Sequence, residues 1–292
     1  MTDRIIEISD TAASLSLSNG LLKIALPECR DCQVPVAEIQ CLILANPAIR
    51  VSGAVLSALA ENNAVVVVSG PDRMPRALQI PLCGNYLQTE RFNAQINAPK
   101  PLTKRLWQCV IQAKIRNQGN LLKELYGDDF GVSALAEKVN SGDTMNVEAR
   151  AAIIYWKHLF CQPFIRDREA RDNNSILNYG YAVLRAMTAR ACCAAGLHPT
   201  VGINHHNRYD PFCLADDLME PFRHVVDRTA RILNPENAAV EELSGEVRRK
   251  ILAGLLEKIP TPRGMWTLTD LLRLSAEQTA RSFQSGKMCL IY

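Results

Sequence analysis

His205 and His206 stand side by side after Gly202, and Asp216, Asp217 and Glu220 follow shortly behind them. An imidazole beside carboxylates belongs either to a metal centre or to an ordinary polar turn leading into a helix. In a helix Asp217 and Glu220, three apart, project from nearly one face, and Asp216 and Glu220, four apart, can do likewise. Upstream, Glu148 falls in the first turn of a helical pattern, where the dipole favours a carboxylate in any case. Two carboxylates and one imidazole, with positions left for water and a phosphate oxygen, suit Mg²⁺ or Mn²⁺ better than structural zinc. A cation held that way neutralises the non-bridging oxygens of a phosphodiester. It also lowers the pKa of a bound water or a 3′-hydroxyl so that it attacks, and no covalent protein nucleophile is needed.

Each residue also has a plainer explanation. Glu148 reads as a helix-start charge, Asp217 and Glu220 as a solvated face, and His205 as a loop histidine. Spacing leaves the two readings open.

The elements that must position these residues fall into two regions. Residues 1–87 read mainly as strands. The segment 13–26 alternates, turns at Asn19-Gly20 and resumes an apolar run, which predicts a hairpin. Segments 38–45 and 64–70 read as buried strands, with a helix over 51–63 between them and Ser52 as its cap. A strand over 77–84 carries Pro81, which suits an edge or a strand end. From residue 88 the period turns helical, with helices predicted over 102–125, 146–160, 175–196, 217–233, 241–259 and 268–286. Pro221 interrupts the fourth of these and predicts a kink or an irregular start. The fold class is α+β: a small β-rich N-terminal domain over 1–87 and a larger all-α domain over 88–292.

Composition agrees with a globular chain, 48% apolar and 22% charged. No apolar run approaches the roughly 18 residues of a membrane helix, and the N-terminus has no basic-then-apolar leader pattern. The expectation is a soluble, cytoplasmic protein without a membrane. Ten cysteines are scattered along the chain, most simply as reduced, packed thiols. Cys29 and Cys32 form one C-x-x-C pair, which supplies two of the four ligands a structural zinc needs. Net charge is +3, distributed unevenly: residues 1–90 hold 6 basic against 9 acidic side chains, and residues 91–292 hold 27 against 21. The second region is the one suited to a polyanion.

Three segments then join the picture: LNYGYAVL at 177–184, GINHH at 202–206 and LADDLMEPFR at 214–223. With VEARAAIIYW at 147–156 upstream, their order and spacing over ~75 residues resemble the helical domain of the CRISPR-associated spacer-acquisition integrase. The D-L-M-E-P-F-R form and the length are most like members from type II systems. The resemblance covers the chain in outline, since the family also has a small β domain before its helical catalytic one.

That resemblance implies metal ligands at Glu148, His205 and Glu220, with Asp217 in a supporting catalytic role. The G-x-x-H register selects His205, and leaves His206 to line the site or face DNA. It implies a Mg²⁺- or Mn²⁺-dependent integrase and endonuclease that joins the 3′-hydroxyl ends of a short foreign duplex, the prespacer, to the leader–repeat end of a CRISPR array. It also implies a homodimer, built through the N-terminal domain, and a small ferredoxin-like CRISPR partner subunit bridging two such dimers.

Further candidates for the DNA backbone are Arg166, Asn178, Arg223 and Arg248, each with a solvated or packing role as the plainer reading. Tyr179 and Tyr181 read as core or supporting residues, and Gly180 as a point of close helix packing. Trp107, Trp156 and Trp266 read as packing residues. No G-x-x-x-x-G-K-[ST] occurs, which fits transesterification without ATP. Two alternatives stay open: hydrolysis of branched or single- or double-stranded DNA by the same ligands, and a non-catalytic nucleic-acid-binding scaffold.

Overall fold

The computed structural model describes residues 4–27, 31–71, 73–160 and 164–289. Cys29 of the C-x-x-C pair lies outside the described residues. The N-terminal region holds eight strands among the described residues: β1 (Arg4–Ile8), β2 (Ser14–Ser18), β3 (Leu21–Ala25), β4 (Cys32–Pro35), β5 (Ile39–Leu44), β6 (Arg50–Val51), β7 (Val65–Ser69) and β8 (Pro75–Gln79). Helix α1 (Gly53–Glu61) joins β6 to β7. The predicted hairpin is β2–β3, with Asn19 and Gly20 both at positive φ, as a two-residue turn of the primed kind requires.

Two four-stranded sheets form. One runs β1-β5-β7-β8, with β1, β5 and β7 parallel and β8 antiparallel; the other runs β4-β3-β2-β6. Alternation along β5 and β7 sends neighbouring residues to opposite faces. Leu42 and Val66 join Leu15, Leu22, Val55 and Leu59 between the sheets. Cys41, Ile43, Val65 and Val67 turn the other way, into the core of the helical region.

The change of period lies between the end of β8 at Gln79 and the start of α2 (Gln88–Ile96). Then come α3 (Lys100–Tyr126), the short α4 (Val132–Leu135), α5 (Val147–Leu159), α6 (Asn173–Ala194), α7 (Cys213–Met219), α8 (Arg223–Leu233), α9 (Gly245–Leu256) and α10 (Leu268–Ser285). Helix α6 is the hub, buried along most of its length and packed against α7, α8, α9, α10 and the β5–β7–β8 side of the first sheet. No helix among the described residues is long and apolar enough to cross a membrane.

Two details differ from the sequence reading. The helical region is not wholly α: a hairpin of β9 (Lys258–Thr261) and β10 (Gly264–Thr267) stands between α9 and α10. Pro260 removes a backbone donor that a continuing helix would need, so α9 ends at Leu256 instead of 259. The predicted helix over 217–233 is two helices joined by a 3-10 turn, Glu220–Phe222, which contains Pro221. That break lifts Glu220 out of the α7 register.

Candidate active site

Helix α5 opens on a cap from Asp143, whose carboxylate accepts from Val147 N at 2.9 Å and Glu148 N at 3.0 Å. This fixes the first turn and Glu148 with it. Glu220 comes from the 3-10 turn, where Asn117 of α3 donates to Pro221 O at 2.8 Å. One turn before Asn117 on the same helix, Lys114 Nζ stands 2.5 Å from Glu148 Oε1 and 2.6 Å from Glu220 Oε2. A largely buried lysine, its side chain 13% exposed, thus bridges two of the three predicted ligands.

Glu220 is 6% exposed. Its Oε1 accepts from Arg223 Nε at 2.9 Å, while Oε2 meets Lys114 by charge and outside hydrogen-bond geometry. Burial pushes its carboxyl up, but Arg223 and Lys114 outweigh that and hold it down at about 2. The ammonium of Lys114 is disfavoured by burial and favoured more strongly by Glu220 and Glu148, so its pKa ends above the usual lysine value.

The Gly202–His205 turn is organised by Asp217, which is fully buried on α7. Its Oδ2 accepts from Ile203 N at 2.5 Å and Asn204 N at 2.9 Å. Its Oδ1 accepts from His205 N at 3.2 Å and lies 2.6 Å from His205 Nδ1. A carboxylate oxygen engaged in this way is an acceptor, so the Nδ1 proton points at Asp217 and the Nε2 lone pair is left for a ligand. The hydrogen bond from Asp217 raises the His205 pKa, against the effect of burial. Trp107 of α3, a packing residue as expected, sits edge-on against the ring, 5.6 Å between centroids. Asp217 therefore positions His205 and takes no place beside it as a donor.

The two halves of the predicted ligand set are not closed into one cluster. Among the described residues no three His, Cys, Asp or Glu side chains stand ready-grouped for a metal. Glu148 and Glu220 share Lys114, and His205 is held by Asp217. The donor types suit a hard divalent cation, and Glu220 Oε2 is a buried oxygen without a hydrogen bond. A cation would compete with the Lys114 ammonium for the same oxygens.

A cavity of about 940 Å³ meets this site at Arg223, the partner of Glu220, and its lining includes Arg76, Arg166, Arg168 and Arg185. Arg166 is held by side-chain carbonyls, Asn174 Oδ1 and Asn178 Oδ1, each at 2.7 Å. Burial, with Arg223 and Arg168 adding to it, keeps its pKa below the usual arginine value. Asn178 is committed to that support, also donating to Arg168 O at 2.8 Å. Asp216, three-dimensionally next in line, is buried and bound by Arg185 through both oxygens at 2.6 Å. His206 is exposed.

Arg248 also lines this cavity, and its side chain is held from behind. It is 1% exposed and its Nε donates to Glu7 Oε1 of β1 at 2.8 Å, so it ties α9 to the first sheet. Lys114 is the residue that sequence reasoning lacked. A signal for it exists: Leu106, Val110, Lys114 and Gln118 form one i+4 row of α3, and the other three are buried.

The chain from residue 6 to 242 matches the family model described as CRISPR associated protein Cas1. The CRISPR-associated endonuclease Cas1 of Neisseria meningitidis serogroup C (strain 8013) is 33% identical over 259 residues, covering 87% of this chain and 82% of the relative. A solved casposase bound to integration product shares the fold with a TM-score of 0.78 at 20% identity, over 99% of this chain and 92% of that one. A chain of a Cas6-RT-Cas1–Cas2 complex does so with 0.75 at 17% identity, over 100% of this chain and 36% of that longer one. The family-model match and the Neisseria relative, aligned along most of both lengths, lead to one statement: the chain belongs to the Cas1 family of CRISPR-associated proteins.

Proposed function

We propose that the chain is a divalent-metal-dependent DNA integrase that inserts short foreign duplexes into a CRISPR array by 3′-hydroxyl attack on a phosphodiester. One observation carries the reading: Glu148 and Glu220 meet at a single largely buried cation, and Arg223, bonded to Glu220, also lines the arginine-rich cavity. The names of the similar proteins, an endonuclease and a casposase bound to integration product, agree with it.

Glu148, His205 and Glu220 would hold Mg²⁺ or Mn²⁺, which supplies charge neutralisation at the phosphate and a more acidic attacking hydroxyl. Asp217 keeps the His205 ring in the tautomer and orientation this needs. Arg166 and Arg223 bind phosphate oxygens and hold the backbone in line, which a planar guanidinium does better than a lysine. In the exchange the attacking 3′-hydroxyl loses its proton, its oxygen bonds to phosphorus, and the departing 3′-oxygen takes up a proton. One phosphodiester replaces another, so no external energy is required. We further propose a homodimer through the N-terminal β region and a small ferredoxin-like partner subunit, in keeping with the Cas1–Cas2 complex among the structural neighbours.

The test compares wild type with Glu220→Ala on a short duplex with free 3′-hydroxyls and a supercoiled plasmid carrying leader and repeat. Partner subunit and Mn²⁺ are present in both. Joined product from wild type alone supports strand transfer. Nicked or trimmed DNA that depends on Glu220 makes the protein a hydrolytic nuclease instead. Equal products from both proteins remove the site from the reaction.

A further inference from the structure

Asp227 of α8 is 1% exposed and sits in the middle of the helical core. Tyr155 of α5 donates its hydroxyl to Asp227 Oδ2 at 2.6 Å, and Tyr181 of α6 donates to Oδ1. A buried carboxylate satisfied by two phenols is a costly way to fill space. Apolar side chains of similar volume would pack there at no loss of stability, and often at a gain. Its presence calls for a role other than packing.

The numbering suggests one. Glu148 and Tyr155 are seven residues apart on α5, hence on one face two turns apart. Glu220 and Asp227 are also seven apart, across the 3-10 turn and α8. The two elements are joined by two rungs. Lys114 bridges Glu148 to Glu220 in one, and Tyr155 bonds Asp227 in the other. A hydrogen bond in the second rung fixes the slide of α5 against α8, and so the separation of the carboxylates in the first. Tyr181 adds a second restraint: its ring lies under the Arg223 guanidinium, 4.6 Å from centroid to carbon, and under Arg166 at 5.6 Å. Arg223 is the partner of Glu220. Tyr181 thus reaches Glu220 through Arg223, and Tyr155 reaches Glu148 along α5.

We infer that Asp227 is a positioning residue for the site, acting through Tyr155 on the spacing of Glu148 and Glu220 and through Tyr181 on the orientation of Arg223. The inference rests on the metal reading of the site.

Mn²⁺ affinity, followed by the electron paramagnetic resonance of the free ion, tests it on the full chain without DNA. Tyr155→Phe and Tyr181→Phe keep the rings and remove only the hydroxyls. Leu22→Ala, in the separate core between the two sheets, supplies a variant destabilised for unrelated reasons. All are measured well below their thermal midpoints. The expected result is a loss of about 10-fold in Mn²⁺ affinity for both tyrosine variants, at the low end of what removing a direct partner of a metal ligand costs, because each acts one residue further back. Leu22→Ala should bind as wild type does. Wild-type affinity in Tyr155→Phe and Tyr181→Phe overturns the inference, as does an equal loss in Leu22→Ala. If wild type binds no Mn²⁺, or Glu220→Ala binds it as tightly as wild type, the metal reading falls and takes the inference with it; that pattern is distinct from the first.

Discussion

Gly180 of α6 lies so close to Val226 of α8 that a Cβ at position 180 would overlap the Val226 Cγ1 methyl, with Ile251 Cγ2 of α9 3.3 Å away. The next residue on each helix, Tyr181 and Asp227, makes the hydroxyl–carboxylate bond. The close approach and the polar bond are therefore one feature of the α6–α8 seam. Gly180→Ala gains about 1 kcal/mol of helix propensity and meets a β-branched neighbour that has little room to yield. A net loss on the order of 1–2 kcal/mol is expected in urea denaturation. The pair Gly180→Ala with Val226→Ala should recover part of it, because the second change removes the clash.

Gly202 stands in a comparable position within the histidine turn. A Cβ there would overlap His205 O and lie 3.0 Å from Asp217 Oδ2. Gly202→Ala must displace the turn that Asp217 holds, and a shift of about 1 Å in a positioned group costs on the order of 100-fold in rate. Strand transfer is expected to fall by about that factor. The thermal midpoint should move little, since the turn is mostly at the surface. An unchanged rate would mean that His205 placement does not matter to the chemistry.

Arg248 and Glu7 join the two regions of the chain through a buried pair. Arg248→Met alone leaves Glu7 without its cation and is expected to cost about 3–5 kcal/mol. The double variant with Glu7→Leu should regain most of that, since both charges are then gone. Folded Arg248→Met should retain wild-type DNA affinity and an unchanged salt slope, because the guanidinium is almost wholly buried against Glu7. A reduced slope in a salt titration of binding would restore a DNA role to this residue.

Much of this was legible in the residues, and the exceptions have identifiable causes. Alternation and Asn19-Gly20 reveal the β2–β3 hairpin, and apolar runs reveal β5 and β7 because both faces of that sheet are covered. Alternation gives no strand over Arg4–Ile8, since Glu7 points inward to Arg248 and breaks the apolar pattern. Helix α2 is nearly invisible for the same reason: its buried residues are Arg91 and Gln95. Gln95 nonetheless holds the approach to the histidine turn, donating to Val201 O at 2.7 Å and accepting from His198 N at 2.9 Å. The family resemblance, not spacing, singled out Glu148, His205, Asp217 and Glu220, but roles depend on which partner each side chain meets. Lys114 lies 34 residues from Glu148, and nothing local pairs them.

Lys114→Met gives that bridge a direct test. Without the ammonium, Glu148 and Glu220 keep like charges side by side, and the metal-free protein is expected to lose about 3 kcal/mol, as for one partner removed from a buried pair. Added Mn²⁺ should then raise the thermal midpoint of the variant by more than that of wild type, because the ion no longer displaces a bound cation. Equal metal-induced shifts in the two proteins would show that ammonium and ion do not compete.

The pH dependence of stability should carry a hidden pair of opposing slopes. Burial lifts the Asp227 carboxyl to about 6, with its tyrosine partners opposing, from an ordinary value near 3.8. Burial likewise drives the His224 imidazole down to about 4, with its bond to Pro221 O opposing, from 6.5. Between about pH 4.5 and 6 the folded state holds the Asp227 proton more tightly than the unfolded chain does, so its contribution to stability falls as pH rises. Over the same window the unfolded chain protonates His224 and the folded state does not, so that contribution rises with pH. At pH 5 each amounts to roughly 1–2 kcal/mol relative to pH 7, and they nearly cancel. These two contributions should therefore leave little net slope in wild type, where Asp216 and His205, both raised in pKa, add stability on the acid side. His224→Asn, which keeps a donor for Pro221 O, should be more stable at pH 5 than at pH 7. Asp227→Asn should show the reverse. Parallel profiles for all three proteins, measured in urea at the two pH values, would mean that neither group changes its protonation on folding.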